Sequence, residues 1–166
     1  FLDVNPRGQV PALIHPDGTV ITEGPAILIH IADAFPAAAL APAPGTAGRA
    51  LHDRWLMFFH ANLYEGELRS YYPDRYTANP DCADAVQVAA RDYIRRHYAL
   101  FERQKPKGEW ALGPTFSLVD IYLWMLIQWT DQAWMAEHCP ILAGIAQRTA
   151  SRPKIAPIHA RHFGGA

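Results

Sequence analysis

Asn5-Pro6-Arg7-Gly8-Gln9-Val10-Pro11-Ala12-Leu13, read together with Thr22-Glu23-Gly24-Pro25-Ala26-Ile27, decides the architecture of the first part of this 166-residue chain. Asn5-Pro6-Arg7-Gly8 carries a turn signature, because proline presets φ and glycine tolerates φ > 0. Val10 to Ile14 then reads as a short apolar strand interrupted by Pro11. His15-Pro16-Asp17-Gly18 is a second turn, Thr19-Val20-Ile21 a second strand, and Glu23-Gly24-Pro25 opens a helix with proline at its start. A proline within a strand cannot donate to the ladder, so Pro11 belongs at an edge, a bulge or a cis bond. A cis Val10–Pro11 bond would turn the N–H and C=O of Val10 outward, ready to pair with an extended peptide. Beside it the start of the next helix offers N–H groups and the positive end of a dipole to an anion. Glu23 adds a carboxylate for an ammonium group.

These two linked motifs, followed by Trp55-Leu56, Gly66, Phe116-Ser117-Leu118-Val119-Asp120 and Arg152-Pro153, resemble glutathione transferases, most closely the bacterial beta class. The resemblance spans nearly the whole chain. It implies a fold that is α+β and mostly α. Residues 1–36 would form the later part of a thioredoxin-like domain, residues 37–48 a linker, and residues 49–166 an all-helical domain. It implies glutathione as co-substrate, held by Gln9, Val10, Pro11, Glu23 and Gly24, with Val10–Pro11 cis and the γ-glutamyl end at Glu23-Gly24. Gly24 stands where the family often has serine, which removes one hydroxyl but keeps the helix N–H groups. Alignment to the beta class places Tyr64, Tyr71 and Trp129 at the pocket for an apolar electrophile. Tyr64 stands where the class often has a histidine, and Met57 where it often has an asparagine.

A hairpin and one helix cannot bury a sheet face alone, so the chain reads as beginning within a domain. The resemblance implies a preceding strand-helix-strand unit of about thirty residues or more. That unit would carry the catalytic cysteine, serine or tyrosine, which leaves no catalytic residue to name here. The chain by itself is accordingly expected to lack transferase activity. The resemblance further implies a homodimer, with residues 49–71 and the start of the following helix at the contact. The rival readings are a non-catalytic glutathione- or ligand-binding protein of the same fold, and a thiol-disulfide or dehalogenating relative.

Composition narrows the field. Half the residues are apolar and the formal charge is −1, which gives no reason to expect nucleic acid or an anionic membrane surface. Cys82 and Cys139 are too few for a disulfide framework and suggest a reducing, cytoplasmic setting. The longest uninterrupted apolar run, Ile121 to Ile127, is far too short to cross a bilayer.

Helical periodicity fills the remainder. Ile27, Ile31 and Ala34 share a face of the first helix. Leu51, Trp55, Phe58, Phe59, Asn62 and Leu63 form a stripe along a long helix over 49–71. A second long helix over 81–103 turns Val86, Ala89, Ala90, Tyr93, Ile94, His97, Leu100 and Phe101 inward, antiparallel to the first. Residues 117–129 are apolar almost all round and predict a buried central helix. Ser117 and Asp120 form its capping box and Phe116 with Ile121 its hydrophobic staple. Asp120 therefore reads as a folding residue. Cys139-Pro140 opens a helix over 141–150 with Leu142, Ile145 and Ala146 inward, and a short helix over 154–161 precedes a frayed Gly164-Gly165-Ala166 tail. Residues 130–138 are assigned no element. No metal is expected: His159 and His162 form the only close histidine pair, without a cysteine or carboxylate nearby. Cys139, beside His138, reads as a buried structural thiol.

Overall fold

The computed structural model describes residues 1–164, so part of the expected frayed tail, Gly165 and Ala166, lies outside the described residues. The chain divides into two compact units, Phe1–Asp53 and Arg54–Ala166. In the first, β1 (Ala12–Ile14) pairs antiparallel with β2 (Val20–Thr22), Leu13 opposite Ile21, and α1 (Gly24–Ala34) follows. The ladder starts at Ala12, two residues after the strand start expected from sequence, because Pro11 has no N–H to give. Gly18 closes the hairpin at φ 88°, where a Cβ would be strained. Asp17 braces the same turn, its carboxylate accepting the Thr19 N–H at 2.9 Å.

The burial pattern of α1 corrects the expectation. Ile27 and Ala32 are buried, whereas Ile31 is exposed along with Ala34. The sheet it packs on has two strands among the described residues, so its covered stripe is narrower than the periodicity suggests. What ties α1 to the next helix, α2 (Ala47–Phe58), is charge. The Arg49 guanidinium, 8 % exposed, meets both Asp33 oxygens at 2.7 and 2.9 Å and both Asp53 oxygens at 2.9 Å. Thr46 starts α2 by accepting the Arg49 N–H at 3.1 Å.

Beyond Phe58 the expected long helix continues through a π-helical segment, Phe59–Tyr64, into α3 (Glu65–Tyr71). The Asn62 amide donates to the Phe58 carbonyl at 2.9 Å and its oxygen accepts from the Tyr93 hydroxyl. That polar pairing accounts for an asparagine on the apolar stripe. Leu51, by contrast, is exposed. α4 (Ala83–Gln104) packs against α3, and Gly66 permits the approach: a Cβ there would fall 2.6 Å from Ile94 Cγ1. Trp55, Phe59 and Phe101 build an aromatic centre, with Phe101 at 4.4 Å from Trp55 and 4.8 Å from Phe59 between ring centroids.

α5 (Leu118–Trp129) runs through the core with Leu118, Val119, Tyr122, Leu123, Leu126 and Ile127 all buried. Its capping box is present as read from sequence. Asp120 accepts the Ser117 N–H at 2.8 Å and, from outside the helix, the Ala111 N–H at 2.7 Å. Phe116 sits on Trp110, 4.9 Å between centroids, with the Arg152 guanidinium 3.7 Å over its ring. Residues 130–138 hold a helix that the sequence reading left out, α6 (Gln132–His138), started by Asp131 accepting the Ala133 and Trp134 N–H groups. α7 (Pro140–Ala150) packs on α5 and buries Leu142, Ile145 and Ala146 as expected. Its first N–H groups, from Ile141 and Leu142, are capped at 3.0 Å by Glu102 of α4. α8 (Ala156–Phe163) is the last helix among the described residues. Among the described residues no helix is long and apolar enough to cross a membrane.

Candidate functional site

The first candidate site is the corner where the hairpin meets α1. The Asn5 turn closes with the Gly8 N–H on the Asn5 carbonyl at 2.9 Å. Asn5 itself is buried; its amide donates to the Gln9 carbonyl at 2.6 Å and its oxygen accepts the Arg7 N–H at 3.1 Å. Both hydrogen bonds fix the backbone that leads into Val10. The Val10–Pro11 bond is cis, and Val10 is exposed with its backbone before the start of the ladder. Gln9 and Pro11 are exposed on either side.

Glu23 precedes α1 at φ 67°, ψ 114°. A non-glycine residue there costs on the order of 1–3 kcal/mol, and such strain concentrates at binding sites. Its carboxylate meets the Arg7 guanidinium at 2.9 Å in an exposed pair. No side chain caps α1, and its first turn holds no acidic residue. The first internal bond is Ile27 N–H to the Glu23 carbonyl at 3.1 Å, so the N–H groups of Gly24 and Ala26 precede the helical ladder. Pro25 has none. The corner therefore presents peptide N–H groups, a dipole end and a carboxylate together.

The second group lies in the helical unit. Tyr71 donates its hydroxyl to the Trp129 carbonyl at 2.9 Å, and Tyr64 meets the Trp129 ring edge-on at 5.8 Å. Tyr64 also lies 5.2 Å from the His60 ring, and His60 Nδ1 is 2.9 Å from the Tyr122 hydroxyl. Tyr71 and Trp129, but not Tyr64, line a cavity of about 500 Å³ with Glu67, Arg91 and Thr130. Glu67, 5 % exposed, accepts the Thr130 hydroxyl at 2.9 Å. Burial pushes its carboxyl up to about 7, against the pull of that hydrogen bond and of Arg91. Burial and the neighbouring Glu67 also raise the Tyr71 hydroxyl.

Other candidates fall to structural roles. Asp120 is fully buried within its cap, and burial raises its carboxyl against four hydrogen bonds. Cys139 is buried, and desolvation pushes its thiol up to about 11, so it stays protonated at neutral pH. Ring contacts to Trp124 and Phe163 occupy His159. Among the described residues no group of three histidine, cysteine or carboxylate side chains is placed to hold a metal.

Residues 1–34 match the family model described as glutathione S-transferase, N-terminal domain, and residues 63–156 match the C-terminal domain of the same family. The chain belongs to the glutathione S-transferase family. Glutathione S-transferase GstA of Escherichia coli O157:H7 is 28% identical over 156 residues, 93% of this chain and 74% of that protein. A sphingomonad glutathione S-transferase solved in complex with glutathione is 33% identical, covering 95% of this chain and 75% of that one, with a TM-score of 0.79. The beta-class glutathione S-transferase of Sphingomonas chungbukensis is 32% identical at the same TM-score, covering 95% and 75% of the two chains. The family fold and the bacterial kinship implied by the sequence motifs thus both hold.

Sequence reasoning missed Asn5 as the buckle of the Gln9–Val10 backbone, and it missed Glu67. The second omission had a visible signal. Trp55, Phe59, Leu63 and Glu67 follow at intervals of four, which puts a carboxylate on the buried stripe.

Proposed function

We propose that the hairpin corner binds glutathione, and that the protein conjugates the glutathione thiolate to an electrophilic small molecule. The observation that carries this reading is Glu23, held at positive φ at an otherwise uncapped helix start. In this reading residues 1–36 belong to a thioredoxin-like glutathione-binding domain. The γ-glutamyl carboxylate lies against the Gly24 and Ala26 N–H groups, its ammonium meets the Glu23 carboxylate, and the rest of the tripeptide extends along the Val10 backbone beside Gln9 and Pro11. Arg7 exchanges its place on Glu23 with the ligand. Such positioning contributes several kcal/mol toward the barrier, about 7 at the lower end of well-oriented reactions. The reaction forms a bond from the thiolate sulfur to the electrophilic carbon and expels its leaving group. Lowering the thiol pKa requires a hydrogen-bond donor or positive charge beside the sulfur. Tyr64, Tyr71 and Trp129 supply apolar surface for the electrophile. A homodimer joined through residues 49–71 and the start of α4 belongs to the same reading, and sedimentation tests it.

A second reading, glutathione binding without turnover, draws support from Tyr64 and Met57 standing where histidine and asparagine often act in the resembled class. Retention on immobilised glutathione, together with conjugation of an aromatic halide, separates the two. Glu23→Gln should reduce affinity for glutathione at least about tenfold, the worth of one charge-assisted contact. Equal binding by the variant and the parent overturns the site, whereas binding without conjugation favours the second reading.

A further inference from the structure

We propose that the cavity between α3, α4 and the end of α5 binds a small aromatic anion, with its charge on the Arg91 guanidinium and its body against Tyr71 and Trp129.

The cavity, about 500 Å³, is of the size that takes small organic ligands. Several of its polar groups already have partners. Tyr71 donates to the Trp129 carbonyl at 2.9 Å, and Gln87 donates to the Ser70 carbonyl at 2.8 Å. Thr130 donates to Glu67 at 2.9 Å and is backed by the Tyr98 hydroxyl at 3.2 Å. Arg95 lies 3.7 Å from Asp131, with its guanidinium 5.4 Å from the Trp134 ring centre. Arg91 alone of these lining cations forms no ion pair among the described residues. Its charge is nevertheless felt at Glu67 and at Tyr71. The chemistry left for a ligand is one guanidinium beside two aromatic walls, and a carboxylate or sulfonate on a ring system matches it.

The sign of the ligand charge follows from the groups around Glu67. From α3 come Glu67 and the Tyr71 phenol, from α4 Arg91, Arg95 and the Tyr98 phenol, and from the end of α5 Thr130 and Asp131. With Glu67 neutral, two guanidiniums face one carboxylate and the net charge is positive. Burial already favours the neutral acid, and a bound anion favours it further. Binding is therefore linked to proton uptake, and affinity falls as pH rises through the titration of Glu67. The cavity shares Tyr71 and Trp129 with the electrophile pocket proposed above. Measurement without glutathione lets either proposal fail alone.

The test is calorimetric titration of the full chain with 1-naphthoate and its neutral analogue 1-naphthamide. Naphthoate affinity should fall about tenfold from pH 6 to pH 8, with the amide at least about tenfold weaker than naphthoate at pH 6. Glu67→Gln should abolish the pH dependence. Arg91→Gln, a change at an exposed residue that leaves the packing in place, should weaken naphthoate about tenfold at every pH. The proposal is overturned if naphthoate shows no saturable binding, if the amide binds equally well, if Arg91→Gln changes nothing, or if folded Glu67→Gln retains the slope.

Discussion

The hairpin unit and the helical unit hold themselves together by different means. In the helical unit Leu123, Leu126, Leu142 and Ile145 are fully buried, as are Phe59 and Phe101, and almost every face of α5 is covered. In the hairpin unit Ile14 is 58% exposed, Val10 and Phe35 are exposed as well, and the best-buried large groups include Arg49 and His52. One unit is closed by apolar area; the other is buckled by polar contacts, Asn5 on Gln9 and Arg49 on Asp33 and Asp53. The lesson is that strained and exposed backbone sits where polar hydrogen bonds, directional and short, can fix it without a large core.

The sharpest test of this contrast is a core deletion. Leu123→Ala should cost about 3–5 kcal/mol in denaturant unfolding, the range for a leucine with no room to collapse. A loss below about 1 kcal/mol would mean that the core is loosely packed. Arg49→Ala should follow at about 2–3 kcal/mol, less than a wholly buried pair because Asp33 and Asp53 retain contact with water. If it costs nothing, the hairpin unit is not held by that network.

Glu67 tests how firmly the helical unit excludes water. Its folded pKa, about 7, lies above the ordinary value of 4.5, so the stability it contributes is complete below about pH 4.5 and is lost as pH rises through 7. Glu67→Gln should therefore leave stability unchanged near pH 4 and raise it by about 2 kcal/mol at pH 8, after discounting for partial hydration. Thermal melts at the two pH values decide it, and a parent whose stability rises between pH 5 and 8 relative to the variant contradicts the assignment. Ser117→Ala should cost about 1 kcal/mol through loss of the α5 cap. Ile14→Ala should cost less than about 0.5 kcal/mol, since its side chain is already largely in water. A larger penalty would show that this face is covered in solution.

The corner was legible because its signals are local. Pro11 cannot pair in a ladder, Asp17-Gly18 dictates a turn, and Pro25 marks a helix start, so hairpin and helix follow from dihedral restrictions carried by single residues. The α5 cap was legible for the same reason, its partners being three residues apart. Burial on α1 was misread, because Ile31 has the right period but no opposing layer in the hairpin unit. α6 was missed although Asp131 is an ordinary cap, since seven residues leave a periodicity too short to see. The π segment was not visible either; within it Asn62 meets Tyr93 across 31 residues.

What the sequence determined by itself was the family pattern and the backbone that serves it: a turn, a proline-bounded hairpin, and a helix that opens behind Glu23. Tertiary structure alone decided which groups were withdrawn from water. Glu67 is one carboxylate among sixteen acidic residues in the sequence, and only the packing of α3 against α4 and the end of α5 gives it a shifted proton and a cavity beside it. Dihedral preferences belong to single residues and travel with the sequence, whereas desolvation depends on neighbours brought from far along the chain.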